Sequence, residues 1–198
     1  MDQIIMKKKI PLLLLTAIIF VLGSFITTER DSKLIYWDQR KLTWEDFKGG
    51  TPGNTPYVAL TQSAISLNMS GQDKNIYCSV ESVFYPKQSW KKKNVTDHVL
   101  NHEQRHFDIT EIHSRMLRKT ISETRFKKYE SIAADIQKLF NTSSTACSKM
   151  QDLYDQETDH SKKKPEQEMW NTKIDSLLNV YSDWTQTEFV LDVGYLLE

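Results

Sequence analysis

The sequence predicts an α+β fold in which a small antiparallel sheet comes first and helices follow. Two observations favour this class. Between residues 34 and 86 the chain is rich in strand-favouring residues separated by turn signals, and from Val95 onward the apolar residues recur at helical spacing. The 198 residues leave room for one domain besides an N-terminal targeting segment. We therefore predict a targeting segment over residues 1–30 and a single domain over residues 31–198.

The first thirty residues have the layout of a secretory signal. Lysines at positions 7–9 precede an uncharged apolar stretch over residues 11–26, and polar residues return at Thr27. As a helix, residues 10–28 would span about 28 Å, close to the roughly 30 Å of a bilayer core. A cleaved signal peptide and an uncleaved membrane anchor therefore both agree with the sequence. In either case the domain is expected outside the cytoplasm, periplasmic or secreted, and in the second case anchored to the inner membrane.

The charge and cysteine content exclude some classes of protein. The chain has 26 basic and 26 acidic side chains and lacks the basic stripe of a nucleic-acid binder, so no nucleic-acid partner is expected. Cys78 and Cys147 are too few for a disulfide scaffold or a cysteine-based metal site. Outside the cytoplasm they could pair, and two buried free thiols are an equally good interpretation.

The predicted sheet contains a β-hairpin. A dense glycine and proline loop over residues 49–56 precedes a strand-favouring stretch over residues 57–69. Residues 70–73 are typical of a turn, and residues 75–85 alternate apolar and polar side chains. The alternation predicts a hairpin with a half-buried face.

Three helices are predicted after the hairpin. A long amphipathic helix extends from about residue 95 to 126 and could be capped by Thr96 or Asn94. The second helix covers residues 132–140, is interrupted by the polar residues 141–144, and resumes from residue 146 to about residue 154. Pro165 fits the first turn of a last helix that reaches residue 180. Residues 189–197 fit either a strand or a tail.

The long helix contains the pattern His-Glu-x-x-His at His102, Glu103 and His106. Residues four apart lie on the same helix face, so two imidazoles can bind one zinc ion at about 2.0–2.1 Å each. Glu103 lies about 100° round the helix from His102, where its carboxylate can reach an activated water as a general base. Zinc lowers the pKa of such a water to about 7 and polarises a carbonyl group, so the pattern indicates amide hydrolysis.

Other histidines complicate the assignment. His98 and His102 have the same spacing, but Val99 then stands where the base should be, so that pair could bind a metal without activating water. His113 lies roughly 10 Å beyond His106 along the helix and cannot share its ion. We place His98 at the rim of the site at most and interpret His113 as an ordinary, partly buried histidine. Spacing alone leaves the third ligand open.

Three ordered segments resemble a bacterial family known as domain of unknown function 922, whose members are often labelled secreted zinc-dependent proteases. Leu-Thr-Trp-Glu-Asp-Phe-Lys-Gly at residues 42–49 is similar to the family's Trp-x-Asp-Phe-x-Gly opening. Residues 102–109 are similar to its His-Glu-x-x-His helix. Tyr-Asp-x-x-Thr-x-His at residues 154–160 is similar to its Tyr-Asp-x-x-Thr-x-His-Gly ending, except that Ser161 stands where the family usually has glycine.

The resemblance implies a zincin-like arrangement and a peptidase activity. It makes His160 the expected third zinc ligand, beside His102 and His106. It also makes Tyr154 a candidate catalytic donor to a developing oxyanion, and Asp155 a candidate carboxylate that orients a ligand histidine. A core role for Tyr154 and a simple helix-end charge for Asp155 are equally good interpretations.

The leading functional hypothesis is an extracytoplasmic zinc-dependent hydrolase, a metallopeptidase that cleaves peptide or peptide-like amide bonds through a zinc-activated water. A peptide or protein is the expected substrate. The alternative is an anchored zinc-binding interaction module of the cell envelope without catalysis, and a third class is a scaffold without metal. Glu103 favours the hydrolase, because a purely structural zinc site needs no base beside its ligands and usually has four protein ligands.

Overall fold

The computed structural model describes residues 30–197. Apart from Arg30, the predicted targeting segment lies outside the described residues, and so does the candidate anchor helix over residues 10–28. Between residues 30 and 197, no helix is both long enough and apolar enough to cross a membrane.

The described chain is an α+β structure with small antiparallel sheets and three helices, as the sequence predicts. The strands are β1 (Ile35–Tyr36), β2 (Ala59–Leu60), β3 (Ser63–Gln72), β4 (Asn75–Phe84), β5 (Trp90–Lys91) and β6 (Glu188–Asp192). The helices are α1 (Asp97–Glu123), α2 (Ile132–Thr158) and α3 (Lys164–Val180).

Strand β4 is the centre of the main sheet. It pairs with β3 along its whole length, from Ser63↔Phe84 to Gln72↔Asn75, which confirms the predicted hairpin. Strands β1 and β6 share its other edge and pair with its two ends, so the segment near the C-terminus is a strand rather than a tail. Strands β2 and β5 form a separate two-stranded antiparallel sheet.

The polar side of β4 differs from the prediction of a half-buried hairpin. Every residue from Cys78 to Phe84 is buried, including Ser79 and Glu81. The buried polar side chains of the strand therefore need partners inside the protein, and the Ser82 hydroxyl finds them on α1. Glu81 accepts a bond of 2.7 Å from Arg30, and burial raises the pKa of its carboxyl group.

Helix α1 is buried along most of its length and carries the His-Glu-x-x-His pattern. The hydroxyl of Thr96 caps its start by accepting a bond from the Val99 amide at 3.4 Å. The helix ends at Glu123, three residues before the predicted end, because Thr124 adopts an extended backbone. Its apolar side joins the larger core with residues of the sheet, of α2 and of α3.

A buried ion cluster fixes α1 against β4. The Glu111 carboxylate accepts bonds from Arg115 at 2.9 Å and from Arg118 at 3.0 Å. The Arg118 side chain also donates to the backbone carbonyl of Val80 at 2.9 Å, and the Ser82 hydroxyl donates to Glu111 at 2.8 Å. Because every charged group here has a partner, the cluster fixes the rotation and height of α1 relative to the sheet.

Helix α2 is continuous where a break was predicted at residues 141–144. The hydroxyls of Thr142, Thr145 and Ser148 donate to carbonyls four residues upstream, at 2.9, 2.8 and 3.2 Å, and so do not compete for the helical amides. Phe140 and Cys147 on either side of the polar stretch are buried in the core, and this burial outweighs the low helix propensity of the residues between them. The helix therefore reaches Thr158.

Candidate metal centre

Helices α1 and α2 bring two imidazoles and a carboxylate to one point. The Nε2 atoms of His102 and His106 lie 3.2 Å apart, and Asp155 Oδ1 lies 3.1 Å from the first and 3.0 Å from the second. Donor atoms around a tetrahedral zinc ion with bonds of about 2.0 Å lie about 3.3 Å apart, so this triangle has nearly the size of one face of such a tetrahedron. These three residues could hold a metal ion.

The other ring nitrogen of His102 faces a glutamine. Its Nδ1 lies 2.9 Å from Oε1 of the fully buried Gln167 in α3. The orientation of that amide follows from its neighbours: Asn171 Oδ1 accepts from Arg105 Nε at 3.2 Å and from Gln167 Nε2 at 3.0 Å. An arginine can only donate, so the Asn171 atom that faces Arg105 is its oxygen. The Gln167 atom that donates to that oxygen is therefore its nitrogen, and Gln167 presents its own oxygen to His102. The Nδ1 atom of His102 therefore donates to Gln167, and this contact directs its Nε2 atom toward Asp155 and His106.

His106 is held in the same way by Gln151 of α2. Its Nδ1 contacts Gln151 Oε1, and Gln151 Nε2 donates to the backbone carbonyl of His106 at 2.8 Å. A carbonyl can only accept, so the amide orientation is fixed and His106 also has its proton on Nδ1. Sequence reasoning missed both glutamines. No local spacing marks them, because they lie 45 and 65 residues along the chain from the rings that they contact.

The converging atoms favour a positive charge between them. Two imidazole lone pairs and a carboxylate oxygen are all acceptors, and at about 3 Å they repel one another unless a proton or a metal cation lies among them. Burial lowers the pKa of His106, but the hydrogen bond and charge of Asp155 outweigh it, and the net shift is upward. Burial likewise opposes ionisation of Asp155, yet the two histidines hold the pKa of its carboxyl group well below the usual range. The residues present thus fit a metal cation.

Glu103 lies beside this group in an unusual state for a carboxylate. It is 4% exposed, and its Oε2 atom is buried without a hydrogen-bond partner among residues 30–197. The backbone carbonyl of Glu103 accepts a bond of 3.1 Å from the hydroxyl of Thr61, which ties this turn of α1 to the chain after β2. A buried, unpaired carboxylate oxygen is costly, and such atoms are characteristic of functional sites.

Tyr154 lies against His102 and is fully buried. Its ring stacks on the His102 ring, with centroids 4.6 Å apart and planes inclined at 22°. Its hydroxyl accepts from Gln167 Nε2 at 2.5 Å and lies 3.4 Å from the His102 carbonyl. Burial raises the pKa of the phenol. This placement favours a role for Tyr154 in supporting the His102 ring. The catalytic role of Tyr154 stays a prediction.

His160 lies at the open side of the group. Its Nδ1 atom is 3.2 Å from Asp155 Oδ1, its ring centroid is 4.4 Å from that of Tyr57, and its side chain is 35% exposed. The compact group of three nitrogen and oxygen atoms forms without it. The structure therefore places His160 next to the candidate centre, and its role as the third ligand stays a prediction.

The remaining helix histidines lie apart from the converging atoms. His98 Nε2 lies 2.7 Å from the carbonyl oxygen of Ser161, and because a carbonyl only accepts, this nitrogen donates. His113 is buried, and neither ring nitrogen has a partner among the described residues. Burial lowers the pKa of His113. Its surroundings are those of a core histidine.

The segment at residues 42–49 supports α1 from behind. The ring centroids of Phe47 and Phe84 lie 5.3 Å apart, and those of Phe84 and Phe107 of α1 lie 5.9 Å apart. The amide of Leu42 donates to the side-chain oxygen of Gln104 at 2.8 Å. These contacts form a second, smaller core cluster beneath the His-Glu-x-x-His turns.

Comparison with known proteins gives one match. Residues 84–161 match the profile of a family described as "Bacterial protein of unknown function (DUF922)". Neither a curated protein nor a solved structure matches the chain. The matched segment contains the helix with His102 and His106 and the end of α2 with Asp155, and it excludes residues 42–49. The match therefore supports the resemblance to this family over the part of the chain that supplies the candidate metal centre.

Proposed function

We propose that this chain is a zinc-dependent hydrolase that cleaves peptide or peptide-like amide bonds outside the cytoplasm. The observation that carries the proposal is the buried Glu103 carboxylate, whose Oε2 atom has no hydrogen-bond partner among residues 30–197, beside a group of side chains able to hold a metal ion. A metal site that only stabilised the fold would gain nothing from a desolvated carboxylate next to its ligands.

We choose zinc as the cation because two histidines four residues apart with a glutamate between them form the ligand pattern of zinc hydrolases. Calcium and magnesium prefer oxygen ligands throughout, whereas two neutral imidazole nitrogens and one carboxylate are typical zinc ligands. Gln151 and Gln167 keep both Nε2 lone pairs available, which is the state that a metal ion requires.

We assign Asp155 as the third ligand, because its Oδ1 atom completes a triangle of the size that zinc requires. Three protein ligands leave a fourth position for water or substrate, as in catalytic zinc sites. His160, the ligand predicted from sequence, is the competing assignment, and it lies close enough to Asp155 to be tested against it directly.

When bound, zinc would polarise the scissile carbonyl and activate a water molecule. Glu103 accepts a proton from the attacking water and later gives it to the leaving amine. Its free oxygen is suited to this role because no residue among those described competes for it. The stacked ring of Tyr154 and the amide of Gln167 keep the His102 ring in place during these steps.

The second candidate function is a zinc-binding interaction module, and one observation favours it. His160 lies 3.2 Å from Asp155, so four protein side chains lie near the candidate ion. If all four bound it, the site would be closed, as in structural zinc sites, and no position would remain for water.

The substitution Glu103→Gln separates the two functions. It keeps the size of the side chain but removes its ability to accept a proton, so peptide hydrolysis should fall by at least about 10²-fold while zinc content is unchanged. Glu123→Gln is the matched control, because Glu123 lies on the exposed end of the same helix. A peptide library with cell-wall fragments is the first substrate screen. Full activity in zinc-loaded Glu103→Gln protein would exclude the mechanism, and a native protein that binds zinc but cleaves nothing would favour the interaction module.

A further inference from the structure

The connection between α2 and α3 has a strained backbone. Asp159, His160 and Ser161 follow one another with φ angles of 45°, 51° and 70°, all in the left-handed region. Residues other than glycine rarely adopt this region of backbone conformation. Three such residues in succession persist only where surrounding contacts hold them. The middle residue of the three is His160, which lies beside Asp155.

Backbone bonds within the connection hold part of this turn. The His160 amide donates to the Asp155 carbonyl at 3.0 Å, and the Lys163 amide donates to the Thr158 carbonyl at 3.0 Å. Both bonds lie at the end of α2 and do not connect the turn to α1, which carries the other histidines.

His98 makes that connection. It lies in the first turn of α1, four residues before His102, and its Nε2 atom donates to the Ser161 carbonyl at 2.7 Å. Ser161 is 6% exposed, so its carbonyl has little access to water as an alternative partner. The same nitrogen cannot at once donate this bond and bind a metal ion. A metal pair of His98 and His102 therefore could not use the Nε2 atom of His98 in this geometry.

We propose that His98 is a positioning residue, which holds His160 against Asp155 by anchoring the carbonyl of Ser161. The inference rests on the proposed zinc site and extends it to the turn that borders it. Because His98 and the two ring ligands belong to one helix, the anchor fixes the distance between the ligand face of α1 and the turn that carries His160. Without it, the strained turn relaxes to commoner backbone conformations, and the His160 ring leaves Asp155.

The test is a double-substitution cycle on zinc affinity in the full-length protein. His98→Ala should weaken zinc binding by about 10-fold, the lower end of the loss typical for residues that orient a metal site from outside. In a His160→Ala background the same substitution should change affinity by less than about 2-fold, because its effect passes through His160. His98→Gln, whose amide can still donate to the carbonyl, should restore most of the affinity.

A merely structural role for His98 would give a different result. The loss on His98→Ala would then be the same in both backgrounds, and that result would overturn the proposal, as would unchanged zinc affinity in His98→Ala. Should His98→Ala fail to fold, the same cycle on zinc affinity is measured with His98→Leu, which cannot donate to the carbonyl, and with His98→Gln, which can.

A second measurement is independent of metal. In the zinc-free protein, hydrogen exchange of the His160 and Lys163 amides should be faster in His98→Ala than in the native chain, and unchanged exchange would also overturn the proposal. Neither measurement involves catalysis, so loss of the proposed hydrolase function would appear in the Glu103→Gln comparison and leave this result intact.

Discussion

Gln151 contacts His106 at two points. Its amide oxygen faces the ring Nδ1 atom, and its amide nitrogen donates to the backbone carbonyl of the same histidine at 2.8 Å. The second bond determines the direction of the first, because the carbonyl can bind only the nitrogen side of the amide. A single side chain of α2 thus sets both the tautomer and the rotation of a candidate ligand on α1.

The glutamine contact predicts the effect of Gln151→Met. Methionine has a similar size but can neither accept from the ring nor donate to the carbonyl, so the His106 ring loses its fixed tautomer. We expect zinc affinity to fall by about 10–100-fold, as measured by competition with a chelating dye. Gln137→Met on the same helix is the control, since Gln137 donates to Asn141 at the surface, and it should leave affinity unchanged.

Replacing Asp155 and His160 separately decides the third ligand. Loss of a ligand should weaken zinc binding more than loss of a neighbour, so Asp155→Ala is expected to cost more than about 100-fold and His160→Ala about 10-fold. His113→Ala on α1 should have little effect on affinity, because its ring contacts none of these atoms. If the order of Asp155 and His160 is reversed, the ligand predicted from sequence is the right one.

The local part of the site could be predicted from sequence, because helix geometry alone places His102 and His106 on one face. The parts that the sequence did not indicate depend on tertiary packing. Gln151 and Gln167 are neutral amides that reach the rings from two other helices, and no sequence spacing encodes such a meeting. For the same reason the compact group contains Asp155, which the sequence offered only as an orienting carboxylate.

The fold was predicted well where a pattern is local and less well where burial overrides propensity. The hairpin of β3 and β4 follows from alternation and a turn signal. The break predicted in α2 was wrong, because the core contacts of Phe140 and Cys147 outweigh the weak helix propensity of residues 141–144. The polar side of β4 was expected to face water, but Ser79 and Glu81 are buried, and Glu81 is paired with Arg30.

Ser161→Gly should stabilise the protein. Ser161 has a φ angle of 70°, a region that costs residues with a Cβ atom roughly 1–2 kcal/mol and glycine little. Part of this gain is lost to the greater freedom of glycine in the unfolded chain, so a net gain of about 0.5–1 kcal/mol is expected in denaturant unfolding. Ser148→Gly within α2 is the matched control and should destabilise by about the same amount. Equal effects of the two substitutions would contradict the left-handed conformation at residue 161.

His113 should make stability fall in acid. Its pKa is lowered by burial in the folded state, so as the pH drops below the ordinary value of about 6.5 the unfolded chain binds a proton before the folded one does. Stability contributed by this group is therefore present above that pH and is lost below it. His113→Leu cannot be protonated, and the difference in unfolding free energy between pH 7.5 and pH 5.5 should be smaller than in the native protein. An identical difference would show that His113 titrates freely in the folded state.

Translocation is the prediction that concerns residues 1–29, where the lysines at positions 7–9 precede an apolar stretch of the length of a bilayer. A reporter enzyme that is active only in the cytoplasm, fused after Glu198, should give no signal, and one that is active only outside should give a strong signal. Deletion of residues 2–29 is the control and should reverse both results, because it removes the predicted signal. Mass analysis of the exported protein then separates a cleaved signal from an anchor: an intact N-terminus in the membrane fraction indicates the anchor, and a shortened, soluble chain indicates the signal. Cytoplasmic reporter activity in the full-length fusion would contradict the extracytoplasmic location, and with it the choice of cell-wall fragments as candidate substrates.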